Sequence, residues 1–170
     1  MTKQLSIRAE RCIGCRSCEL ACSLKNEGIL NPSKSRINVI TFFDGRYNLP
    51  FNIPFTCRQC KDALCLKVCS VNAIFQDNNK TIRVMEEECI GCGRCVKVCP
   101  FGAMFFDKDK KKAFKCELCG GRPACVEICP VGVILFKEMK RFISKETVLL
   151  IEGYSILSNL KRKVLERKNG

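Results

Sequence analysis

Cys89-Ile90-Gly91-Cys92-Gly93-Arg94-Cys95-Val96-Lys97-Val98-Cys99-Pro100 decides how the rest of the chain is read. Its cysteines follow a Cys-x2-Cys-x2-Cys-x3-Cys spacing and end on proline. The same spacing stands at Cys12, Cys15, Cys18 and Cys22. Cys57, Cys60, Cys65 and Cys69 form an x2-x4-x3 variant. Cys116, Cys119, Cys125 and Cys129, followed by Pro130, form an x2-x5-x3 variant. These four groups account for all 16 cysteines of the 170-residue chain. Three groups are followed by related tails: Ser70-Val71-Asn72-Ala73-Ile74-Phe75, Pro100-Phe101-Gly102-Ala103-Met104-Phe105 and Pro130-Val131-Gly132-Val133-Ile134-Leu135. Each tail reads as a turn feeding a short strand, so the groups form an internal repeat.

Composition narrows the chemistry. Hydrophobic residues make up 46 per cent of the chain, and leaving out the 16 cysteines lowers this to about 37 per cent. That is a thin supply for a self-sufficient core, so something besides apolar burial must help hold the fold. Histidine and tryptophan are absent. The lack of histidine excludes His-ligated haem, Rieske centres, Cys2His2 zinc fingers and His-dependent catalytic triads.

Disulfides, zinc and iron–sulfur clusters compete for the cysteines. Disulfides need an oxidising compartment. Met1-Thr2-Lys3-Gln4-Leu5-Ser6-Ile7-Arg8 has no apolar export core and no twin arginine, which sets the expectation of a cytoplasmic protein with reduced thiols. The longest apolar runs, 131–136 and 148–151, fall far short of the roughly 18–20 residues needed to span a bilayer, so no membrane span is expected. Structural zinc takes two Cys-x2-Cys knuckles separated by about a dozen or more residues. Here three close cysteines precede a fourth only a few positions on. Groups one and three carry the bacterial ferredoxin spacing, and group three has its proline. Four [4Fe–4S] clusters are therefore expected. Three thiolates of a tight loop would face one cube; the fourth, placed at the start of a short helix, would serve a neighbouring one.

Between the groups, Asp77-Asn78-Asn79-Lys80 and Asp107-Lys108-Asp109-Lys110-Lys111-Lys112 read as hairpin turns, the second a solvated tip or docking surface. The cysteine-free interval 23–56 contains Arg36-Ile37-Asn38-Val39-Ile40-Thr41-Phe42-Phe43, then Asp44-Gly45, then Arg46-Tyr47-Asn48-Leu49. Asp-Gly between β-prone runs predicts an inserted hairpin, with Pro50 and Pro54 breaking the stretch after Leu49 into extended chain. Near the C-terminus, Ser144 caps a predicted helix carrying Leu150, Tyr154, Leu157, Leu160 and Val164 at helical spacing, with Gly153 interrupting it. This helix is expected to pack on its own body or to grip another subunit.

The order of the four spacings resembles the four-cluster ferredoxin-type electron-transfer subunits of oxidoreductase complexes. These accompany dimethyl sulfoxide reductase, formate dehydrogenase and hydrogenlyase, carbon monoxide dehydrogenase-linked hydrogenase and tungsten aldehyde oxidoreductases. Cys12-Ile13-Gly14-Cys15-Arg16-Ser17-Cys18-Glu19, Phe55-Thr56-Cys57-Arg58-Gln59-Cys60 and Lys115-Cys116-Glu117-Leu118-Cys119-Gly120-Gly121 carry the likeness. Ser70 departs from it, because family members often have proline there; the ligands are untouched and only loop rigidity is affected.

The resemblance implies the wiring. One cluster would use Cys12, Cys15, Cys18 and Cys129, and its partner Cys22, Cys116, Cys119 and Cys125. A third would use Cys57, Cys60, Cys65 and Cys99, and the fourth Cys69, Cys89, Cys92 and Cys95. The implied fold is α+β: two ferredoxin-like dicluster lobes with short hairpins and helices. Lobe one is split between 1–54 and 109–142 and contains the hairpin insert 23–54. Lobe two is inserted at 55–108, and 143–170 forms a helical tail.

The formal charge is +13 with cysteine counted neutral. An oxidised cube with its four thiolates carries about −2, so four would bring the chain to about +5. Most of the basic surplus thus reads as compensation for clusters, and no nucleic-acid partner is expected. No Gly-x-Gly-x-x-Gly fingerprint, Walker A motif or catalytic constellation is visible, so no residue is assigned a catalytic role. The expected function is a relay of single electrons between a large catalytic subunit and a soluble ferredoxin or similar carrier, not catalysis by the chain alone. Asn31-Pro32-Ser33-Lys34-Ser35-Arg36-Ile37-Asn38-Val39 resembles small subunits that accompany tungsten-pterin aldehyde oxidoreductases. The alternatives are a free-standing polyferredoxin and a subunit of a hydrogenase, formate dehydrogenase or carbon monoxide dehydrogenase.

Overall fold

The computed structural model describes residues 2–43 and 50–139. In chain order these form β1 (Thr2–Ile7), α1 (Ser17–Glu27), β2 (Ile37–Phe43), β3 (Pro50–Thr56), α2 (Leu64–Lys67), β4 (Ile74–Gln76), β5 (Ile82–Val84), α3 (Arg94–Val98), β6 (Met104–Asp107), β7 (Lys112–Lys115), α4 (Ala124–Glu127) and β8 (Ile134–Met139). The strands pair into four separate two-stranded antiparallel sheets: β1–β8, β2–β3, β4–β5 and β6–β7. Helices after α1 have at most five residues. The fold is thus a small mixture of helices and minimal sheets. The predicted Asp44-Gly45 turn and the C-terminal helix over 143–170 lie outside the described residues. Among the described residues, no helix is long and apolar enough to cross a membrane.

The pairing of β1 with β8 joins the two ends of the described chain, with Leu5 opposite Phe136 and Ile7 opposite Ile134. Leu5, Val133 and Ile134 bury against Ile37, Val39 and Leu118, and Cys18, Cys22, Cys116 and Cys125 belong to the same core. A second core gathers Ala63, Ile74, Ile82, Met104 and Ala113 with Cys95. A third is small: Ile40 and Phe55 of the β2–β3 hairpin meet Phe105 of β6, whose ring lies 5.5 Å from that of Phe114. It packs the inserted hairpin onto β6–β7. Each fully buried aliphatic or aromatic side chain contributes about 1.5–3 kcal/mol, so cysteine must do part of the work that a larger apolar core would do.

The β4–β5 hairpin closes as expected. Thr81 N–H donates to Asp77 Oδ1 at 2.8 Å and Lys80 N–H to Asp77 O at 2.8 Å. Asp107 does the same for β6–β7, its Oδ1 accepting from Asp109 and Lys110 N–H at 2.9 and 3.1 Å. The lysine-rich tip is not simply solvated. Lys34 Nζ donates to Asp107 at 2.8 Å and Asp109 at 2.6 Å, while Lys110 pairs with Glu27 at 3.0 Å.

Two expectations change. Pro50 and Pro54 do not break the chain: both lie inside β3, opposite Phe43 and Val39. A two-residue period puts both prolines at positions that face away from β2, where no ladder donor is lost. Consistently, Val39 N–H donates to Glu19 Oε1 at 2.6 Å instead of to β3. The fourth cysteine of a group also does not start its helix. Cys22 lies within α1, Cys99 caps the end of α3, and Cys69 and Cys129 follow α2 and α4. Only in α1 do the third and fourth cysteines both lie in the helix, so Cys18 and Cys22 stand one turn, about 6 Å, apart along its axis.

Candidate metal centres

Each cysteine group is a loop running into a short helix. In groups one and three the loop holds the first two cysteines, and Cys18 and Cys95 enter the helix. The loops pass close to other backbone and side chains. Gly14 has φ +72°, and a Cβ there would meet Asn52 Cγ at 2.7 Å. Gly91 has φ +70°, and a Cβ there would run into the Lys111 carbonyl. Both positions therefore require glycine. After groups two, three and four, the N–H of Asn72, Gly102 and Gly132 returns to the carbonyl of Cys69, Cys99 and Cys129 at 3.2–3.3 Å. This shared turn is the repeat seen in the sequence.

Three cavities are each ringed by four thiols. Cys12, Cys15, Cys18 and Cys129 line one, with Val39, Pro54 and Ile134. Cys22, Cys116, Cys119 and Cys125 line another, with Leu5 and Ile37. Cys57, Cys60, Cys65 and Cys99 line the third, with Ile82, Met104 and Lys115. They hold roughly 320, 310 and 420 Å³ free of protein atoms, mouths included. Of the remaining four, Cys69 and Cys89 pack with Cys95 around the second core, and Cys92 is exposed.

The electrostatics follow the same grouping. Burial pushes the Cys18 and Cys65 thiols up to about 12, reinforced by Cys12 and Cys15 around the first and by Cys57, Cys99 and Cys60 around the second. Burial raises Cys95 to about 11, with Cys89 and Cys92 adding to the effect. It also raises Cys125, which faces Cys116, Cys22 and Cys119. Cys129 is the exception: burial would raise it, but backbone N–H groups of Val133, Val131, Ile134 and Gly132 outweigh this and lower it. Two repulsions cross between foursomes, Cys18 against Cys125 and Cys57 against Cys116.

Among the described residues, no three Cys, Asp or Glu side chains converge to hold a single metal ion. The thiols surround cavities instead, and backbone donors point at sulfur. Arg36 N–H lies 3.2 Å from Cys22 Sγ, Val133 N–H 3.3 Å from Cys129 Sγ and Ala103 N–H 3.4 Å from Cys99 Sγ. Soft thiolates spread around an apolar cavity, with N–H donors to sulfur, fit a polynuclear iron–sulfur group.

Several residues beside the thiols escape sequence reasoning. Glu19 is fully buried, accepting from Val39 N–H and from Arg16 Nη1 at 3.4 Å. Gln59 Nε2 donates to Cys116 O at 2.9 Å while its Oε1 accepts from Ile82 N–H at 2.9 Å, so it stitches group two to group four. Lys115 is buried beside it. All three stand in the phrases that carry the family likeness, next to a ligand, but neither spacing nor resemblance gave them a role.

Comparison with known proteins finds iron–sulfur domains and electron-transfer subunits. The model of the 4Fe-4S dicluster domain family matches residues 50–139, and a 4Fe-4S binding domain model matches 9–25. A polyferredoxin-like subunit of an aliphatic sulfonate oxidoreductase from Pyrococcus furiosus is 44% identical over 88 residues, covering 51% of this chain and 48% of that protein. Electron transport protein HydN of Escherichia coli is 36% identical over 99 residues, covering 54% and 53%. The arsenate respiratory reductase iron-sulfur subunit ArrB of Shewanella is 36% identical over 89 residues, covering 51% and 37%. The chain thus spans about half the length, or less, of these relatives. A chain of the benzoyl coenzyme A reductase BamBC complex superposes with a TM-score of 0.46 at 25% identity, covering 89% of this chain and 97% of that one. With the first family model covering more than half of its 170 residues, the protein belongs to the 4Fe-4S dicluster domain family.

Proposed function

We propose that this chain is the electron-transfer subunit of an oxidoreductase complex, carrying four [4Fe–4S] clusters. The observation that carries the proposal is the set of three cavities, each lined by three cysteines of one group and a fourth from another. Cys69, Cys89, Cys92 and Cys95 would hold the remaining cluster. A [4Fe–4S] group held by four thiolates has no open coordination position and exchanges one electron. The chain's residues exclude water, supply donors to sulfur and set the spacing.

The same contacts support an order. The centre at Cys12 meets that at Cys22 through α1 and the Cys18–Cys125 approach. The Cys22 centre meets the Cys57 centre through Cys57 and Cys116. The Cys57 centre meets the Cys89 centre through α2 and α3. Both ends open outward: Cys15 and Cys92 are exposed, beside Ile13 at 62% and Ile90 at 65% exposure. One end would serve a large catalytic subunit and the other a soluble ferredoxin or similar carrier in the cytoplasm. In this reading the lobes are 1–54 with 109–142, and 55–108. The relatives named as oxidoreductase subunits support a catalytic partner, and the likeness of residues 31–39 to small subunits of tungsten-pterin aldehyde oxidoreductases makes that the partner we favour. The HydN likeness favours a second reading, a carrier without an obligate partner.

Anaerobically purified chain should contain about 16 iron and as much acid-labile sulfide. A value well below this overturns the four-cluster assignment. Co-purification of a large oxidoreductase supports the subunit reading, and a lone monomer supports the carrier.

A further inference from the structure

Lys115 ends β7, directly before Cys116. Its side chain is only 1% exposed. Nζ donates to the Cys116 carbonyl at 2.8 Å and to the Ile82 carbonyl. The same side chain lines the cavity of Cys57, Cys60, Cys65 and Cys99. It therefore touches the backbone of a ligand in one foursome and walls the cavity of the next. Among the described residues, no carboxylate pairs with it; the neighbouring Glu117 pairs with Arg36 and Arg83 instead. The two carbonyls accept from two of its three N–H donors and leave its charge uncompensated. An isolated buried ammonium is costly, so a negative partner must stand close by. The negative charge on either side is thiolate sulfur: Lys115 attracts both Cys65 and Cys116.

We propose that Lys115 is the shared counter-cation of the two inner centres, raising the reduction potential of both instead of favouring one over the other. The proposal rests on the ligand foursomes assigned above. A cation beside one centre favours an added electron there and opens a gap to its neighbour. A cation beside both favours the electron on either side. One electron leaves one centre and enters the other, and no bond forms or breaks. Arg58 gives an internal contrast: it lines the same Cys57 cavity, but the thiols it attracts, Cys60 and Cys57, both belong to that foursome, whereas Lys115 also acts on Cys116 of the other.

The test is a redox titration of the full chain followed by paramagnetic resonance, with iron and sulfide counted for every variant. Lys115→Gln keeps an amide for the carbonyls and removes the charge. It should lower two of the four midpoint potentials by about 59 mV or more, a tenfold or larger fall in reduced-to-oxidised ratio at the original midpoint. Lys115→Arg should hold both potentials near their original values, and Arg58→Gln should lower one. Full iron with unchanged potentials in Lys115→Gln overturns the proposal, as does an equal shift in all four. Should Lys115→Gln and Lys115→Met both lose iron, full loading of Lys115→Arg supports the need for charge. Iron loss in Lys115→Arg as well reduces the role to packing and overturns it. Wild-type chain with far less than about 16 iron would sink the ligand assignment itself, a result distinct from any Lys115 outcome.

Discussion

Cys22 stands one turn beyond Cys18 on α1, yet it lines a cavity with Cys116, Cys119 and Cys125, about a hundred positions away. Arg36 N–H and Asn26 Nδ2 both point at its sulfur, at 3.2 and 3.6 Å. Cys22→Ser should therefore lose one cluster, with iron falling from about 16 to about 12 per chain. Paramagnetic resonance of the reduced variant should keep the signal of the Cys12 centre; loss of that signal instead would refute the crossed pairing. At this scale the thiols are legible in the sequence because ligation demands a residue type, and a type can be read directly. Glu19, Gln59 and Lys115 are not. A glutamate on a helix or a lysine beside a turn reads as an ordinary solvated charge, and only its neighbours in space make it a buried one.

Elements are legible where their turns are local. Asp77 and Asp107 close their hairpins with their own carboxylates, a pattern contained within four residues. The second strand of the inserted hairpin is harder to read. Proline signals a break, whereas the register of β3 sets Pro50 and Pro54 at positions that owe no hydrogen bond to β2. Which way a strand faces depends on its partner, and the partner is not written in the strand. The same hairpin docks through Ile40 and Phe55 onto Phe105, which is 2% exposed. Phe105→Ala should cost about 3–5 kcal/mol, read as a lower midpoint in thermal unfolding of the iron-loaded chain. Its iron content should stay near that of the original protein, because Phe105 lines none of the thiol cavities described.

Across the whole molecule, cysteine links chemistry to stability. Burial holds the Cys18 and Cys65 thiols near 12 and the Cys95 and Cys116 thiols near 11, against 9.0 in the unfolded chain. Folding without metal therefore favours the protonated thiol. That contribution is complete below about pH 9 and is lost as the pH rises toward these folded values, because the unfolded chain ionises first. Iron ligation runs the other way: it needs thiolate, expels protons and tightens as the pH rises. Raising the pH from about 9 to 11 should thus weaken the metal-free chain, whereas raising it from about 7 to 9 should strengthen iron and sulfide uptake. Circular dichroism and proton release on reconstitution would measure the two. A proton release of zero would contradict thiolate ligation. The sequence by itself determined the donor type, the four-by-four grouping and the local turns, since each follows from residues a few positions apart. Spacing left open which thiols ring the same cavity, a grouping the family resemblance implied and the tertiary structure shows for three of the four sets, while only the tertiary structure shows where Lys115 is buried. Those depend on β1 meeting β8 and on Gln59 bridging Ile82 to Cys116, contacts between segments far apart in the chain.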